Sequence, residues 1–124
     1  MSETGRPAAD GWAWPESLDA LSAAAGYHKV LLENEHVRVL EASTAPGETV
    51  PVHTHCWPAV VYVVSWSDFV RRDANGAVLV DSRRTGPAPA PGTALWSGPL
   101  PPHSLTNVGT GELRVIAVEV KGGR

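Results

Sequence analysis

A single cysteine, Cys56, stands in the 124-residue chain. No intrachain disulfide can form, and a lone thiol suits a reducing compartment. Basic residues are few and form no long block: 10 Lys and Arg stand against 13 Asp and Glu, for a formal net charge of −3. Phosphate binding wants a basic stripe, so the balance argues against a nucleic-acid surface. No apolar run approaches the roughly 20 residues of a membrane helix. The opening "MSETGRPAADG" has no apolar centre of the kind a secretory signal carries. These absences lead to the expectation of a soluble, cytoplasmic protein with neither nucleic acid nor membrane as partner.

Helical periodicity is scarce as well. "WPESLDALSAAAG" (14–26) is the one stretch that reads as a helix. Pro15 sits near its start, Leu18 and Leu21 are three apart, and Gly26 stops it. A helix this short needs tertiary support. The length fits one domain able to bury a core unaided. Residues 1–26 are read as an arm and short helix, and 27–121 as a β-barrel domain.

What the sequence does have is short β-branched runs punctuated by turns, with 12 Gly and 11 Pro between them. "HKVLL" and "VRVLEAS" flank "ENEH"; Val37, Val39 and Glu41 share one face, and Arg38 and Leu40 the other. "TVPVHTH" (49–55) reads as a strand that Pro51 keeps at an edge or near a bulge. "AVVYVVSW" (59–66) is continuously apolar and is expected to be buried on both faces. Asn75-Gly76 is a favoured turn pair between two strand-like arms. "ALWS", "HSLTN" and "LRVIAVEV" follow. Eight to ten strands with turns every 8–12 residues point to an all-β sandwich or barrel.

Two histidines one residue apart, His53 and His55, lie before the apolar run. In a strand, residues i and i+2 point the same way, so both rings share a face and can grip one ion. His103 follows the rigid turn "GPLPP", a good way to fix a third ligand. His28 and His36 flank charges near a hairpin and are expected to be solvated. Cys56 points away from the pair and reads as a small buried hydrophobe.

These residues, in this order, resemble the cupin superfamily. Its first motif is commonly written G-x5-H-x-H-x(3,4)-E-x6-G. Gly47, His53 and His55 match; the Glu position falls on Ala59 or Val60, and the last Gly on Trp66 or Ser67. Of the second motif, G-x5-P-x-G-x2-H-x3-N, Gly92, His103 and Asn107 match, while Gly98 and Leu100 stand at the Pro and Gly positions. The resemblance implies a double-stranded β-helix, or jelly-roll barrel. It implies a divalent metal (Fe, Mn, Ni or Zn) on His53, His55 and His103.

Without the carboxylate, three neutral imidazoles leave the ion its full charge and open positions, which favours an anionic ligand. Similar three-histidine sites occur in cupin-like thiol dioxygenases, and zinc also suits such a set. Glu119, Asp68 and Asp81 are candidate substitute carboxylates. Tyr62, placed inside the barrel, and Glu119 are nominated for proton transfer. Trp57 and Trp96 are nominated as cavity walls. Arg71, if turned inward, would pin a substrate carboxylate; otherwise the arginines of that hairpin form a solvated face. The function expected is a metal-dependent enzyme, dioxygenase-like or an isomerase or lyase, acting on a small anionic or oxygen-bearing molecule. A metal-free barrel that binds or senses a small molecule is the alternative. A homodimer is expected, since edge strands need cover.

Overall fold

The computed structural model describes residues 11–122; the arm read over residues 1–10 lies outside them. Nine strands form among these residues: β1 His28–Glu33, β2 Val37–Thr44, β3 Thr49–His55, β4 Ala59–Ser65, β5 Phe69–Asp73, β6 Val78–Asp81, β7 Ala94–Ser97, β8 Leu100–Asn107 and β9 Leu113–Val120. They make two antiparallel sheets, ordered β1-β2-β9-β4-β7 and β3-β8-β5-β6. This is the expected all-β jelly roll. No helix among the described residues is long and apolar enough to cross a membrane.

The expected 14–26 helix is broken. A 3-10 turn at Glu16–Leu18, one α turn (α1, Ala20–Ala23) and a second 3-10 turn at Ala25–Tyr27 replace it. Asp19 interrupts the run. Its carboxylate caps Leu21 N–H at 3.0 Å, and its backbone bridges Thr54 of β3. Both carboxylate oxygens also take the guanidinium of Arg38, each at 3.0 Å. Tertiary contacts at one residue outweigh the helix propensity of the alanines.

Pro51 lies on an edge strand, as expected, since β3 pairs with β8 alone. The register slips between Val50 and His53. The Asn75-Gly76 turn closes the β5–β6 hairpin through Gly76 N–H to Asp73 O at 3.0 Å. Gly47 and Gly92 both have positive φ, +82° and +91°, so the two glycines that match the motifs stand where an L side chain would be strained.

The "AVVYVVS" strand differs from expectation. Ala59 and Val63 are buried, while Val60, Tyr62 and Val64 are 37–47% exposed. A continuous apolar run hides which parity faces the core, and here β4 is covered on one side only. Its outward residues extend a row across the whole sheet, because paired residues share a face. Leu32 pairs with Val39, Val39 with Val118, Val118 with Val60, and Val60 with Trp96.

At the far end of the barrel, Asn107 is buried and uses every polar atom of its amide. Its oxygen accepts from Ser67 Oγ at 2.8 Å and Gly109 N–H at 3.0 Å. Its nitrogen donates to the carbonyls of Thr44 and Gly111, both at 2.9 Å. One side chain thus ties the end of β2, the β4–β5 connection and the β8–β9 turn. Asn107→Ala should leave these groups unpaired and lower unfolding free energy by about 2–4 kcal/mol. Urea denaturation will measure it; a loss under about 1 kcal/mol would show that the loops hold without the amide.

Candidate metal centre

Between the sheets lies a cavity of about 340 Å³. Four histidines from both sheets line one part of it: His28 at the start of β1, His53 and His55 on β3, and His103 on β8. His53 and His103 are paired across the two strands, and their ring centroids are 4.3 Å apart. His53 and His55 are 5.0 Å apart, and His28 is 4.9 Å from His53 and 5.3 Å from His55. The tightest ligand group is His28, His53 and His55, with one ligand atom of each within 4.8 Å of the others. His103 stands beside His53 and 5.9 Å from His55.

The three expected histidines all line the cavity, but the close ligand group takes His28 in place of His103. His28 is not solvated; it is half-buried and faces its fellows. Sequence reasoning missed it because its neighbours come from β3, more than 20 residues away. The readable signal was its parity with the strand it opens: His28 pairs with Ala42, on the inward side of β2. His36, by contrast, is exposed beside Glu35, as expected.

Every ring in the cluster has Nδ1 engaged. His53 Nδ1 meets the Pro51 carbonyl at 2.7 Å and His103 Nδ1 the Pro101 carbonyl at 2.7 Å. His28 Nδ1 meets Ala24 O at 3.0 Å, and His55 Nδ1 meets Glu119 Oε2 at 2.7 Å. A carbonyl or carboxylate can only accept, so Nδ1 carries the proton in each case. Nε2 then keeps its lone pair. This is how metal-bound histidines are held: the second ring nitrogen donates to a carbonyl or carboxylate, which fixes tautomer and orientation.

Electrostatics favours the same protonation state. Burial, then neighbouring His103, pushes the His53 pKa down to about 2. Burial, aided by Arg71, takes His103 down to about 4 against the opposing bond to Pro101. Burial also lowers His28. The residues fit a divalent ion. An ion holding each nitrogen at about 2.1 Å keeps the ligands within about 4.2 Å of one another, so the rings need only close slightly.

Glu119 is neither an ion ligand nor a free base in this arrangement. It is fully buried. One oxygen takes His55 and the other takes Arg38 Nε at 2.6 Å. It pairs with Ala59 across β9 and β4, beside a position where the family motif has its acid. The carboxylate thus reaches the site from the neighbouring strand, one bond behind the ligands. Burial would weaken the Arg38 charge, but the hydrogen bonds it donates to Asp19 and Glu119 more than offset it and raise its pKa.

The other nominated residues scatter. Tyr62 is 47% exposed on the outer face of β4 and is absent from the cavity lining; the expectation of a hydroxyl inside the barrel fails because the strand parity is opposite. Asp68 accepts from Ser82 Oγ, and Asp81 holds Arg83 at the surface, so neither reaches the histidines. Trp57 is buried in the wall with Arg38 and Lys121 over its ring at 5.1 and 5.2 Å. Trp96 borders the cavity but is 66% exposed. Arg71 does line the cavity, with Trp66 and Phe69, two aromatics the sequence reading did not single out. Burial pushes the Cys56 thiol up to about 11, which keeps it protonated.

No protein-family model matches the sequence, and no curated protein does. Solved structures do. A cupin domain from Bordetella pertussis Tohama I matches with TM-score 0.61 and 20% identity, over 77% of this chain and 92% of that one. The fold is that of the cupins. An RmlC-like cupin from Methanocaldococcus jannaschii matches at TM-score 0.54 and 13% identity, over 76% and 78% of the two chains. The polyketide cyclase RemF from Streptomyces resistomycificus matches at TM-score 0.50 and 18% identity, over 77% and 64%. At these identities the likeness is one of fold, and this cupin barrel's chemistry rests on its own residues.

Three of the four rings have folded-state pKa values below the ordinary 6.5 of a free histidine. Unfolding therefore takes up protons below that pH, and stability falls as pH falls. EDTA-treated protein should lose stability from about pH 6.5 toward pH 4, with a limiting slope of about 1.4 kcal/mol per pH unit for each ring kept neutral. Thermal melts across that range will show it. A midpoint that stays level down to pH 4.5 would contradict neutral buried rings.

Proposed function

We propose that this barrel is a metal-dependent enzyme that binds a divalent ion on its histidine cluster and acts on a small, oxygen-bearing anion. The observation that carries this reading is the set of four Nδ1–H groups already committed to carbonyls and a carboxylate. An ordinary core histidine needs one satisfied bond; four neighbouring rings that all bond through Nδ1 and leave Nε2 over suit a shared ligand. His28, His53 and His55 would hold the ion, with His103 beside them as a fourth donor. Iron, manganese, nickel and zinc all accept imidazole nitrogen.

A bound ion would supply Lewis-acid polarisation of a substrate oxygen, or dioxygen chemistry if it is iron. The chain's own part is binding and exclusion of water. Neutral imidazoles leave the ion's charge uncompensated, and the charge of Glu119 is already met by Arg38. An anion is then the ligand that balances the site. The apolar walls, among them Leu40, Val63, Leu113 and Trp57, keep water from the reacting end. Oxidation, isomerisation and lyase reactions are all compatible with such a centre. RemF, a polyketide cyclase, shows that the same barrel can house a cyclisation catalyst.

The chain also pairs with a second copy in this reading, through the outer face of the five-stranded sheet. Five strands about 4.8 Å apart, with outward residues about 7 Å apart along each, give a face on the order of 500 Å² in plan. A standard interface buries roughly 800 Å² per partner, so the pairing would use the whole of this face. A two-fold axis would set each Leu32–Trp96 row against its copy.

Metal analysis tests the first proposal. Wild-type protein should carry about one equivalent of a divalent metal, and His53→Ala and His28→Ala should carry little, while His36→Ala keeps its content. Glu119→Gln should weaken metal affinity by roughly 10- to 100-fold, as loss of a carboxylate behind a ligand does. Equal metal in wild type and both cluster variants would sink the reading. Sedimentation tests the second: wild type should run at twice its 13.1 kDa mass, and Trp96→Glu as a monomer. A monomeric wild type at micromolar concentration would refute the pairing.

A further inference from the structure

The cavity's second feature lies one inward step from the histidines. Arg71 pairs with Leu105 on β8, two residues from His103, which places it about 7 Å along the barrel. Arg71 lines the cavity together with Trp66 and Phe69. Its Nε is buried and meets no hydrogen-bond acceptor among the described residues; Trp66 Nε1 shares that condition. The ring of Phe69 neighbours both, 5.6 Å from the Trp66 ring and 5.6 Å from the Arg71 guanidinium carbon.

A buried guanidinium with an unmet donor is costly, and proteins keep such groups paired. Two unmet donors on one wall of one cavity point to an acceptor that arrives from outside. The cavity's charge inventory says what kind. Among the described residues, Glu119 is the one carboxylate in the lining, and it is already shared between Arg38 and His55. Among the same residues Arg71 is the one lining guanidinium, and no acid forms an ion pair with it. Apart from the histidines, Tyr27, Thr44 and Ser97, the rest of the wall is apolar and partly aromatic. At about 340 Å³ the cavity is near the small end of the roughly 300–1,000 Å³ range for ligand sites.

We infer that the molecule bound here is a compact, flat-bodied monocarboxylate, its carboxylate on Arg71 and its body against Trp66 and Phe69. This rests on the reading of the cavity as a substrate site, and it sets the other end of the molecule toward the histidines. A planar guanidinium matches a carboxylate with two parallel N–H···O bonds. Trp66 Nε1 offers a further donor at the same wall. At this wall one guanidinium balances one charge, so a carboxylate suits Arg71 better than a doubly charged group such as a phosphate ester.

The test is binding of benzoate and phenylacetate, with benzamide and phenylacetamide as neutral counterparts, to EDTA-treated full-length protein. Calorimetry or tryptophan fluorescence reads it. The acids should bind at least tenfold tighter than the amides. Arg71→Met should weaken acid binding by roughly 10- to 100-fold and abolish the preference, while Arg71→Lys keeps part of it. Trp66→Phe should weaken acid binding several-fold; it and Arg71→Lys carry the test if circular dichroism shows Arg71→Met unfolded. Acids and amides of equal affinity would overturn the inference. So would failure of both acids to bind at 10 mM (about a hundredfold above a typical substrate level), or variants that bind like wild type. Metal content is measured separately on untreated Arg71→Met and should match wild type. Anion preference without any metal in wild type would sink the metal centre and leave this inference standing.

Discussion

The site depends on a carboxylate held between two partners. Glu119 is buried with Arg38 on one oxygen and His55 on the other, and Arg38 passes the connection on to Asp19. Four side chains from the N-terminal segment, β2, β3 and β9 are thereby set relative to one another. Burying these charges is expensive, and each is tolerable only because the others are there; removing one partner of such a group costs about 3–5 kcal/mol. The arrangement is also directional. Its acidic ends are neutralised by Arg38, and what reaches the cavity is an imidazole with a settled proton. The nearby Lys121, fully buried on Glu33 and the Asn34 carbonyl, closes the same end of the barrel by the same means.

Much of this was legible in the sequence, for identifiable reasons. The strand pattern, the Asn75-Gly76 hairpin and the edge position of Pro51 follow from local chemistry, and local chemistry is what a sequence displays. His53 and His55 share a face by strand geometry alone, and His103 entered through its place after a proline turn. What stayed hidden depends on contacts between distant segments. His28 joins the cluster only because β1 folds over β3. Glu119 looked like a free acid because its neighbour in space, Arg38, is 81 positions away. The stretch 20–25, with its alanine run at 23–25, looked helical because nothing in it announces that Asp19 has three other partners. Tyr62 was misplaced for another reason: an unbroken apolar strand carries no polar residue to mark which parity faces water.

The two ends of the cavity divide its work. At one end the histidines cluster, each with Nδ1 bonded to an acceptor. Farther along, Arg71 brings a positive charge, with apolar walls between. A site built this way sorts ligands by charge and length together. A neutral molecule forfeits the guanidinium, and one too short cannot meet both ends. Both sets of residues sit on hydrogen-bonded strands, which hold geometry more rigidly than loops do.

His53 and His103 share one further property. Each ring bonds the carbonyl of a proline two residues earlier in its own strand, in "PVH" and "PPH". The proton on each imidazole is thus assigned by a tripeptide and needs nothing from the rest of the molecule. Such a unit is portable. Placed on any extended edge strand facing a cavity, proline–residue–histidine would present a ready lone pair, so a coordinating position can be gained or moved in one short segment while the buried ion pairs behind it stay untouched.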